Sequence, residues 1–245
     1  MIDMTLQKKI GSFLEMVEKS DRIVFFGGAG VSTESGIPDF RSVDGLYNQK
    51  YDYPPETILS HDFFVNNTEE FYRFYRDKMI VKGVEPNVTH LALKKLEDMG
   101  KLSAVVTQNI DGLHEAAGSK KIFNLHGTIA NHHCERCNKF YDLSAIENSE
   151  GVPKCSCGGV IKPDVVLYGE LLPDSAVEGA VNAIKSADML IIGGTSLTVY
   201  PAAWFVNYYK GDRLVLINKP ATSYDNYANL VMHCALGEVF SQIKY

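Results

Sequence analysis

Short apolar runs recur along the chain, and they predict the buried strands of a parallel sheet. Each run is rich in β-branched or aromatic side chains and is bounded by glycine or polar residues, as buried strands are. The runs occupy residues 22–26, 103–107, 188–193 and 213–217. Because none of them alternates between apolar and polar positions, we expect each strand to be covered on both of its faces.

Helical periodicity separates these runs. The first helix places its apolar residues on one face, at Leu6, Ile10, Phe13, Leu14 and Val17. Further helices are predicted over 68–80, over 87–99 with Gly100 as a stop signal, and over 174–187 with Asp174 as the N-cap. Helices that alternate with continuous apolar strands are typical of a doubly wound sheet. The sequence therefore predicts an α/β fold around a parallel sheet.

Two stretches break this alternation and are interpreted as inserts. Residues 45–82 carry an aromatic helix, and residues 130–162 carry four of the five cysteines. We expect the two inserts to form one smaller domain beside the carboxyl edge of the sheet, where ligands of open α/β sheets bind. The larger domain then comprises residues 1–44, 83–129 and 163–245.

Composition and charge narrow the possible partners. The chain has 245 residues, of which 45% are hydrophobic, and its 24 basic against 30 acidic residues give a net charge of −6. Such a field repels nucleic acid and anionic membranes, so neither is an expected partner. The sequence shows no signal-peptide pattern and no apolar stretch of about 20 residues, the length that spans a bilayer. We expect a cytoplasmic monomer.

The cysteines fall into two close pairs, Cys134-x-x-Cys137 and Cys155-x-Cys157. Four thiolates suit tetrahedral zinc and leave no open coordination position, which indicates a structural metal rather than a catalytic one. Unliganded buried thiols are the alternative, and the short second pair leaves His132 or His133 as a possible fourth ligand. A nucleic-acid-binding zinc ribbon is disfavoured, because residues 132–162 carry four basic and four acidic side chains.

A glycine-rich turn, Gly28-Ala29-Gly30, follows the first predicted strand. Such a turn lets backbone N–H groups approach a pyrophosphate, although it also serves as an ordinary tight turn. The third glycine of the dehydrogenase fingerprint would fall at Thr33. The pattern therefore indicates a dinucleotide site unlike that of a hydride-transferring enzyme.

Further candidate residues lie at the ends of predicted strands. Gln108, Asn109, Ile110 and Asp111 follow one strand, Gly194, Thr195 and Ser196 follow another, and Asn218 follows the last. His126 follows the short apolar run Ile122-Phe123, before the cysteines. Each taken alone is equally compatible with a turn or a structural histidine. Their coincidence at strand ends of one sheet is what a nucleotide cleft requires, and imidazole is suited to accept a proton near neutral pH.

These motifs together resemble those of the sirtuins, the NAD-dependent protein-lysine deacylases. The resemblance spans nearly the whole chain, through residues 28–32, 36–41, 107–114, 125–127, the cysteine pairs, 163–166, 168–170, 194–196 and 217–218. It implies a Rossmann-type NAD domain, a smaller domain with structural zinc, and an acyl-lysine peptide that enters the cleft between them. NAD is consumed in that reaction: nicotinamide is released and the acyl group ends on ADP-ribose.

The resemblance also implies roles for individual residues. His126 would be the base, while Asn109 and Asp111 would orient nicotinamide and ribose. Further NAD contacts would be Gly28, Ala29, Gly30, Thr33, Asp39, Phe40, Arg41, Gln108, Ile110, Gly194, Thr195, Ser196, Asn218, Lys219 and Leu236. The substrate peptide would contact Val166, Leu167, Tyr168, Gly169, Glu170, Leu197, Val199, Tyr200 and Tyr72.

One departure from the family pattern concerns the acyl chain. Members that prefer succinyl or malonyl groups carry a tyrosine and an arginine three residues apart, whereas here Tyr72 is followed by Tyr75, and the arginine is Arg76. We therefore expect a preference for acetyl-lysine. The alternatives are a desuccinylase or demalonylase, an NAD-dependent protein mono-ADP-ribosyltransferase, and a zinc-dependent binding module without catalysis.

Overall fold

A computed structural model describes residues 4–39 and 52–244. Its larger sheet has six parallel strands in the order β3-β2-β1-β7-β8-β9. These strands are β1 (Ile23–Gly27), β2 (Leu102–Thr107), β3 (Ile122–Asn124), β7 (Met189–Gly193), β8 (Leu214–Ile217) and β9 (Leu230–Met232). The predicted parallel α/β sheet is therefore confirmed.

Helices cover both faces of this sheet, which explains why its strands are apolar without alternation. Ile23 and Phe25 of β1 point into one core, formed with α1 (Met4–Glu18), α5 (Val88–Asp98) and α9 (Leu236–Phe240). Val24 and Phe26 point into the other core, formed with α8 (Asp174–Ser186) and a 3₁₀ segment, Ala202–Tyr208. Successive side chains of a strand lie on opposite faces, so a strand between two helical layers needs apolar residues throughout.

A second, smaller sheet contains the first cysteine of the cluster. It is antiparallel in the order β5-β4-β6, with β4 (Gly127–Cys134), β5 (Phe140–Asp142) and β6 (Ile161–Val165). The helix α7 (Ser144–Glu147) follows β5. The aromatic insert forms α2 (Pro55–Ile58), α3 (His61–Asn66) and α4 (Thr68–Phe74), which continues as a π-helical turn, Tyr75–Met79.

One hydrophobic core joins the two predicted inserts. Phe64 and Phe71 of the helical insert share it with Cys134, Ile161 and Val165 of the small sheet. Strands β4 and β6 extend beyond 130–162 at both ends, to residues 127 and 165. The smaller domain thus connects directly to the ends of the large sheet.

Helix boundaries agree with the sequence except at one cap. Asn87 caps α5, and its side chain accepts a hydrogen bond from the Thr89 N–H at 2.9 Å. The predicted N-cap of α8, Asp174, is instead the first helical residue, because Pro173 takes the cap position in an extended conformation. The carboxylate of Asp174 still favours the helix dipole there. Among the described helices, none has the length and apolar character that crossing a bilayer requires.

Candidate active site and metal centre

The order of the strands creates a crevice at the carboxyl ends of β1 and β7. From β1 the chain proceeds to β2 on one side, and it later returns to β7 on the other side. Connections that diverge in this way leave an opening where open α/β sheets bind ligands. The turns that follow β1 and β7, at residues 28–32 and 194–197, both lie at this opening.

Glycines allow the two turns to pack closely. The Gly30 N–H donates to the Gly194 carbonyl at 2.8 Å, and a Cβ atom on Gly30 would lie only 2.8 Å from Gly194 Cα. A Cβ atom on Gly28 would meet Thr195 Cβ at the same distance. The glycines therefore serve close backbone packing, which brings the two turns together at the crevice.

Ser32, Asn109 and Asp111 form a partly buried hydrogen-bonded group across the crevice. Ser32 Oγ donates to Asp111 Oδ2 at 2.6 Å and accepts from Asn109 Nδ2 at 3.0 Å. The Leu113 N–H holds the other carboxylate oxygen at 2.9 Å. Burial raises the pKa of Asp111 above its ordinary value, although the hydrogen bonds from Ser32 and Leu113 oppose the shift.

Sequence reasoning missed Ser32 as a functional residue. Its only signal is a hydroxyl at the end of the glycine-rich turn, and a serine in a turn is commonplace. The structure buries this hydroxyl almost completely and places it between Asn109 and Asp111. Ser32 therefore orients both of the residues that the resemblance assigns to nicotinamide and ribose.

His126 lies at the junction of the two domains, between β3 and β4. Its Nδ1 atom is 3.0 Å from the Gln108 carbonyl oxygen, and its own carbonyl accepts from the Val166 N–H at 2.9 Å. Burial lowers the pKa of His126, and the hydrogen bond to Gln108 only partly offsets this effect. The ring is thus held in one orientation and favours the neutral form.

Polar side chains at the ends of β2, β7 and β8 complete the crevice. Gln108 Nε2 donates to Thr195 Oγ1 at 3.1 Å, which joins the ends of β2 and β7 across β1. Thr195 Oγ1 also accepts from the Leu197 N–H. Asn218 follows β8, and its Nδ2 atom donates to the Pro220 carbonyl at 2.9 Å. These predicted NAD contacts therefore share one edge of the sheet.

The remaining predicted NAD contacts have different surroundings. Thr33 Oγ1 donates to the Gly30 carbonyl at 3.0 Å, within the turn after β1. Ile110 packs against the core of the smaller domain, and Leu236 begins α9 close to the end of β7. The others are Ala29, Asp39 and Ser196, which are partly buried, and Lys219, which is exposed. The predicted contacts Phe40 and Arg41 lie outside the described residues.

Two predicted substrate segments border the crevice, at residues 166–170 and 197–200. The backbone of Tyr168 bonds to the helical insert, with its N–H donating to Leu59 O and its carbonyl accepting from the His61 N–H, both at 2.9 Å. Leu197 has a φ of +55° although it is buried and not a glycine. A non-glycine residue in the left-handed region is costly and is often found at functional sites.

Tyr72, a predicted substrate contact, lies in the core of the smaller domain. Its side chain is fully buried, and its hydroxyl donates to the Ile161 carbonyl. Arg76 stacks over the Tyr72 ring, and its guanidinium donates to Ser149 Oγ at 2.9 Å. Both side chains that sequence reasoning considered for an acidic acyl group are therefore bound to other parts of the smaller domain.

The four paired cysteines converge on one point. All four Sγ atoms lie within 4.8 Å of one another, and the Cys134–Cys157 and Cys137–Cys155 pairs are 3.4 and 3.6 Å apart. Tetrahedral zinc with bonds of about 2.3 Å places its sulfurs roughly 3.8 Å apart, so the cluster fits this metal. The Tyr141 hydroxyl supports it by donating to Cys155 Sγ at 3.0 Å.

The histidine alternatives for the fourth ligand are wrong. The His132 ring is buried beside Tyr75, with Nε2 3.4 Å from the tyrosine hydroxyl. His133 Nδ1 pairs with Asp164 at 2.7 Å. The four cysteines form the metal-binding group by themselves, and the short spacing of the second pair does not prevent it.

The fold and the site define a nucleotide-binding α/β protein with a structural metal module. A sequence model of the Sir2 family matches residues 28–201, which is more than half of the chain. The NAD-dependent protein deacetylase of Clostridium acetobutylicum is 55% identical over 244 residues, covering 98% of this chain and all of the relative. That of Clostridium perfringens is 54% identical over 242 residues, with 97% and 99% covered. The chain belongs to the Sir2 family, and the resemblance to sirtuins is confirmed.

Solved structures give the same result. A Sir2 protein with a deacetylated p53 peptide and 3'-O-acetyl-ADP-ribose superposes with a TM-score of 0.88 at 38% identity, over 96% of both chains. Another, with a p53 peptide and NAD+, gives 0.85 at 38% identity, also over 96% of both chains. A third structure, of Sir2 bound to a propionylated peptide, gives 0.85 at 37% identity over 96% of this chain and 97% of the other.

Proposed function

We propose that this protein is an NAD-dependent deacetylase of protein lysines, which releases nicotinamide and transfers the acetyl group to ADP-ribose. The observation that carries the proposal is the contact of His126 Nδ1 with the Gln108 carbonyl, which leaves Nε2 as a base at the crevice. Sir2 relatives named NAD-dependent protein deacetylase support the same activity at 54% and 55% identity.

Different residues at the crevice are assigned to the two ends of NAD. When bound, NAD supplies the electrophilic ribose carbon that carries nicotinamide. We assign Asn109 and Asp111, which Ser32 holds in place, to the nicotinamide end of the site. Thr195 and Asn218, at the ends of β7 and β8, are assigned to the adenosine end. This order follows the edge of the sheet from β2 to β8.

His126 is assigned the role of general base. Because Nδ1 donates to a carbonyl, the lone pair of the neutral ring is on Nε2, where it can accept a proton from a ribose hydroxyl. Its lowered pKa keeps the ring neutral at neutral pH. A neutral imidazole acts as a base without first losing a proton.

The acylated peptide is assigned to the segments 166–170 and 197–200. Extended peptides bind to exposed backbone by adding a strand, a mode that depends on shape more than on sequence. Tyr72 and Arg76 make their contacts within the smaller domain, which supports acetyl over succinyl or malonyl as the preferred group. Structures of Sir2 proteins with acetylated and propionylated peptides support a small uncharged acyl group.

The cysteines support a proposal for the cellular compartment of the protein. Five free thiols, four of them in a metal-binding group, suit a reducing compartment. We therefore assign the protein to the cytoplasm.

The function is tested by incubating the protein with NAD and matched acetyl- and succinyl-lysine peptides. Mass spectrometry should show free lysine peptide and acetyl-ADP-ribose, with acetyl removed faster than succinyl. A peptide or protein that gains the mass of ADP-ribose would instead indicate ADP-ribosyl transfer. Intact NAD beside an acetyl peptide would contradict the proposal.

A further inference from the structure

Glu170 occupies the end of the 166–170 segment and contacts three separate parts of the chain. Its Oε1 atom lies 2.8 Å from His61 Nδ1 in α3. Its Oε2 atom lies 3.1 Å from Lys162 Nζ in β6, and it accepts from the Leu167 N–H at 2.9 Å. The carboxylate therefore joins the helical insert, the small sheet and the predicted substrate segment.

The Lys162–Glu170 pair of this cluster is largely withdrawn from water, since the two side chains are only 16% and 21% exposed. His61 lies at the edge of the cluster, with its side chain 51% exposed. Burial alone would raise the pKa of Glu170, but the Leu167 N–H, the His61 ring and the Lys162 charge hold it below its ordinary value. Charged groups that are partly buried and hydrogen-bonded interact more strongly than exposed surface pairs.

The cluster also shapes the backbone of the segment. Two hydrogen bonds close a turn over residues 167–170: the Glu170 N–H donates to the Leu167 carbonyl at 2.9 Å, and the Leu167 N–H donates to the Glu170 carboxylate. Gly169 has a φ of +93°, which this turn requires. Lys162 Nζ donates to the Val165 carbonyl at 3.1 Å as well, so it contacts both the residue before the segment and Glu170 at the segment's end.

The same segment reaches the assigned base. The Val166 N–H donates to the His126 carbonyl, at the opposite end from Glu170. A displacement of the turn at residues 167–170 would therefore change the path along which an extended peptide meets the crevice. The smaller domain would control this path through the charge cluster.

We propose that Lys162 and His61, acting through Glu170, are positioning residues that hold the 166–170 segment in the shape that receives the acylated peptide. The inference rests on the proposed deacetylase function. It gives Glu170 an internal role, because its carboxylate contacts protein groups on both oxygens. NAD binding, which is assigned to the edge of the sheet from β2 to β8, should be independent of the cluster.

The test measures KM for an acetyl-lysine peptide and KM for NAD separately. Lys162→Met removes the positive charge that pairs with Glu170 but keeps an apolar side chain of similar length. The peptide KM should rise about tenfold, because small displacements of positioning groups are costly, while the NAD KM should stay close to that of the wild type. Lys162→Arg keeps the charge and should restore most of the peptide affinity.

Lys82→Met is the matched control. Lys82 pairs with Glu147 at 3.1 Å, also between the helical insert and the cysteine-bearing insert, but its side chain is 75% exposed and distant from residues 166–170 in sequence. This variant loses the same charge and should leave both KM values unchanged. His61→Leu and Glu170→Gln should raise the peptide KM in the same direction as Lys162→Met.

Different measurements test the positioning role and the proposed function. Wild-type turnover of the acetyl peptide tests the function alone. The positioning role is tested separately by adding Lys162→Met to a His126→Ala protein and titrating it with the peptide, so that binding is measured without turnover. This test applies whether or not the wild type is active. An unchanged peptide KM in Lys162→Met, or an equal rise in both KM values, would overturn the inference. Failure of Lys162→Arg to restore peptide affinity would also count against it.

Discussion

The Nδ1 atom of His126 lies 3.0 Å from the carbonyl oxygen of Gln108, and this contact fixes which ring nitrogen can accept a proton in the proposed reaction. A carbonyl oxygen only accepts hydrogen bonds, so Nδ1 carries the proton and Nε2 keeps its lone pair. Gln108 also reaches Thr195 through its side chain. Gln108 therefore orients the proposed base and joins the ends of two strands at the crevice.

His126→Ala should abolish most deacetylation without loss of NAD binding. Removal of a general base lowers rates by roughly 10²- to 10⁴-fold. Acetyl-ADP-ribose formation, followed by mass spectrometry, measures the loss. The rise in melting temperature on addition of NAD reports binding independently of turnover. A variant that keeps nearly wild-type turnover would show that another group is the base.

The pH dependence of deacetylation should follow the protonation of His126. Burial lowers the pKa of this ring from its ordinary value of 6.5, and only the neutral form accepts a proton. As the pH falls, kcat/KM should therefore decline with a midpoint below 6.5. Rates measured from pH 5 to 8 with one acetyl peptide and subsaturating concentrations would locate this midpoint. A midpoint above 6.5 would contradict the assigned environment of the ring.

Ser32→Ala should weaken NAD binding by disturbing Asn109 and Asp111. The substitution removes one donor and one acceptor from a partly buried group, which costs about 1–3 kcal/mol and corresponds to roughly a 5- to 150-fold rise in the NAD KM. The peptide KM should change less. Ser186→Ala is a suitable control. The Ser186 hydroxyl that this substitution removes donates only to backbone carbonyls within α8. Equal effects of the two substitutions would remove the special role of Ser32.

The cysteine cluster should bind one zinc ion per chain. Cys137→Ser should lose the metal and destabilise the smaller domain, because a structural zinc contributes directly to folding. Cys234→Ser is the matched control, since Cys234 is buried but lies outside the cluster. Metal content by elemental analysis and melting temperature would be measured for both. Full zinc content in Cys137→Ser would refute the four-cysteine site.

Apolar runs were sufficient to predict the centre of the sheet. The strands β1, β2, β7 and β8 lie within one or two residues of the predicted runs, because a strand buried on both faces has a continuous apolar sequence. The sequence marks β3 only as the two-residue apolar run Ile122-Phe123, and it does not predict β9. Each has only three residues, and most of these are partly exposed, so their sequences lack the same signal.

The sequence indicates which residues belong to the site better than it indicates which of their side chains touch. The sequence places Ser32 and Asp111 in separate motifs, and only the fold brings their side chains together. In the same way, His61 and Glu170 are distant in sequence but meet because α3 packs beside the 166–170 segment. Tyr72 shows the opposite case, since its helix was predicted while the core that buries its ring was not.

His90 and His114 form a buried pair between α5 and α6 (Leu113–Ala116). Their ring centroids are 4.7 Å apart, and both side chains are almost completely inaccessible. Burial lowers the pKa of His90 to about 4; burial, together with the nearby His90, lowers that of His114 to about 3. Within the described residues, neither ring nitrogen of His114 has a hydrogen-bond partner. Both rings are therefore held in the neutral form.

This pair should make the protein less stable in mild acid. Between an ordinary pKa of about 6.5 and the lowered folded values, the unfolded chain binds more protons, so the free energy of unfolding falls as the pH falls. Two such groups contribute up to about 2.7 kcal/mol per pH unit within that window. Denaturant titrations at pH 7, 6 and 5 would measure the slope, which His114→Gln should reduce by about 1.4 kcal/mol per pH unit. Leu93→Ala, a buried change in α5 without a titrating group, should lower stability by the same amount at every pH. An equal slope in wild type and His114→Gln would contradict a neutral buried pair.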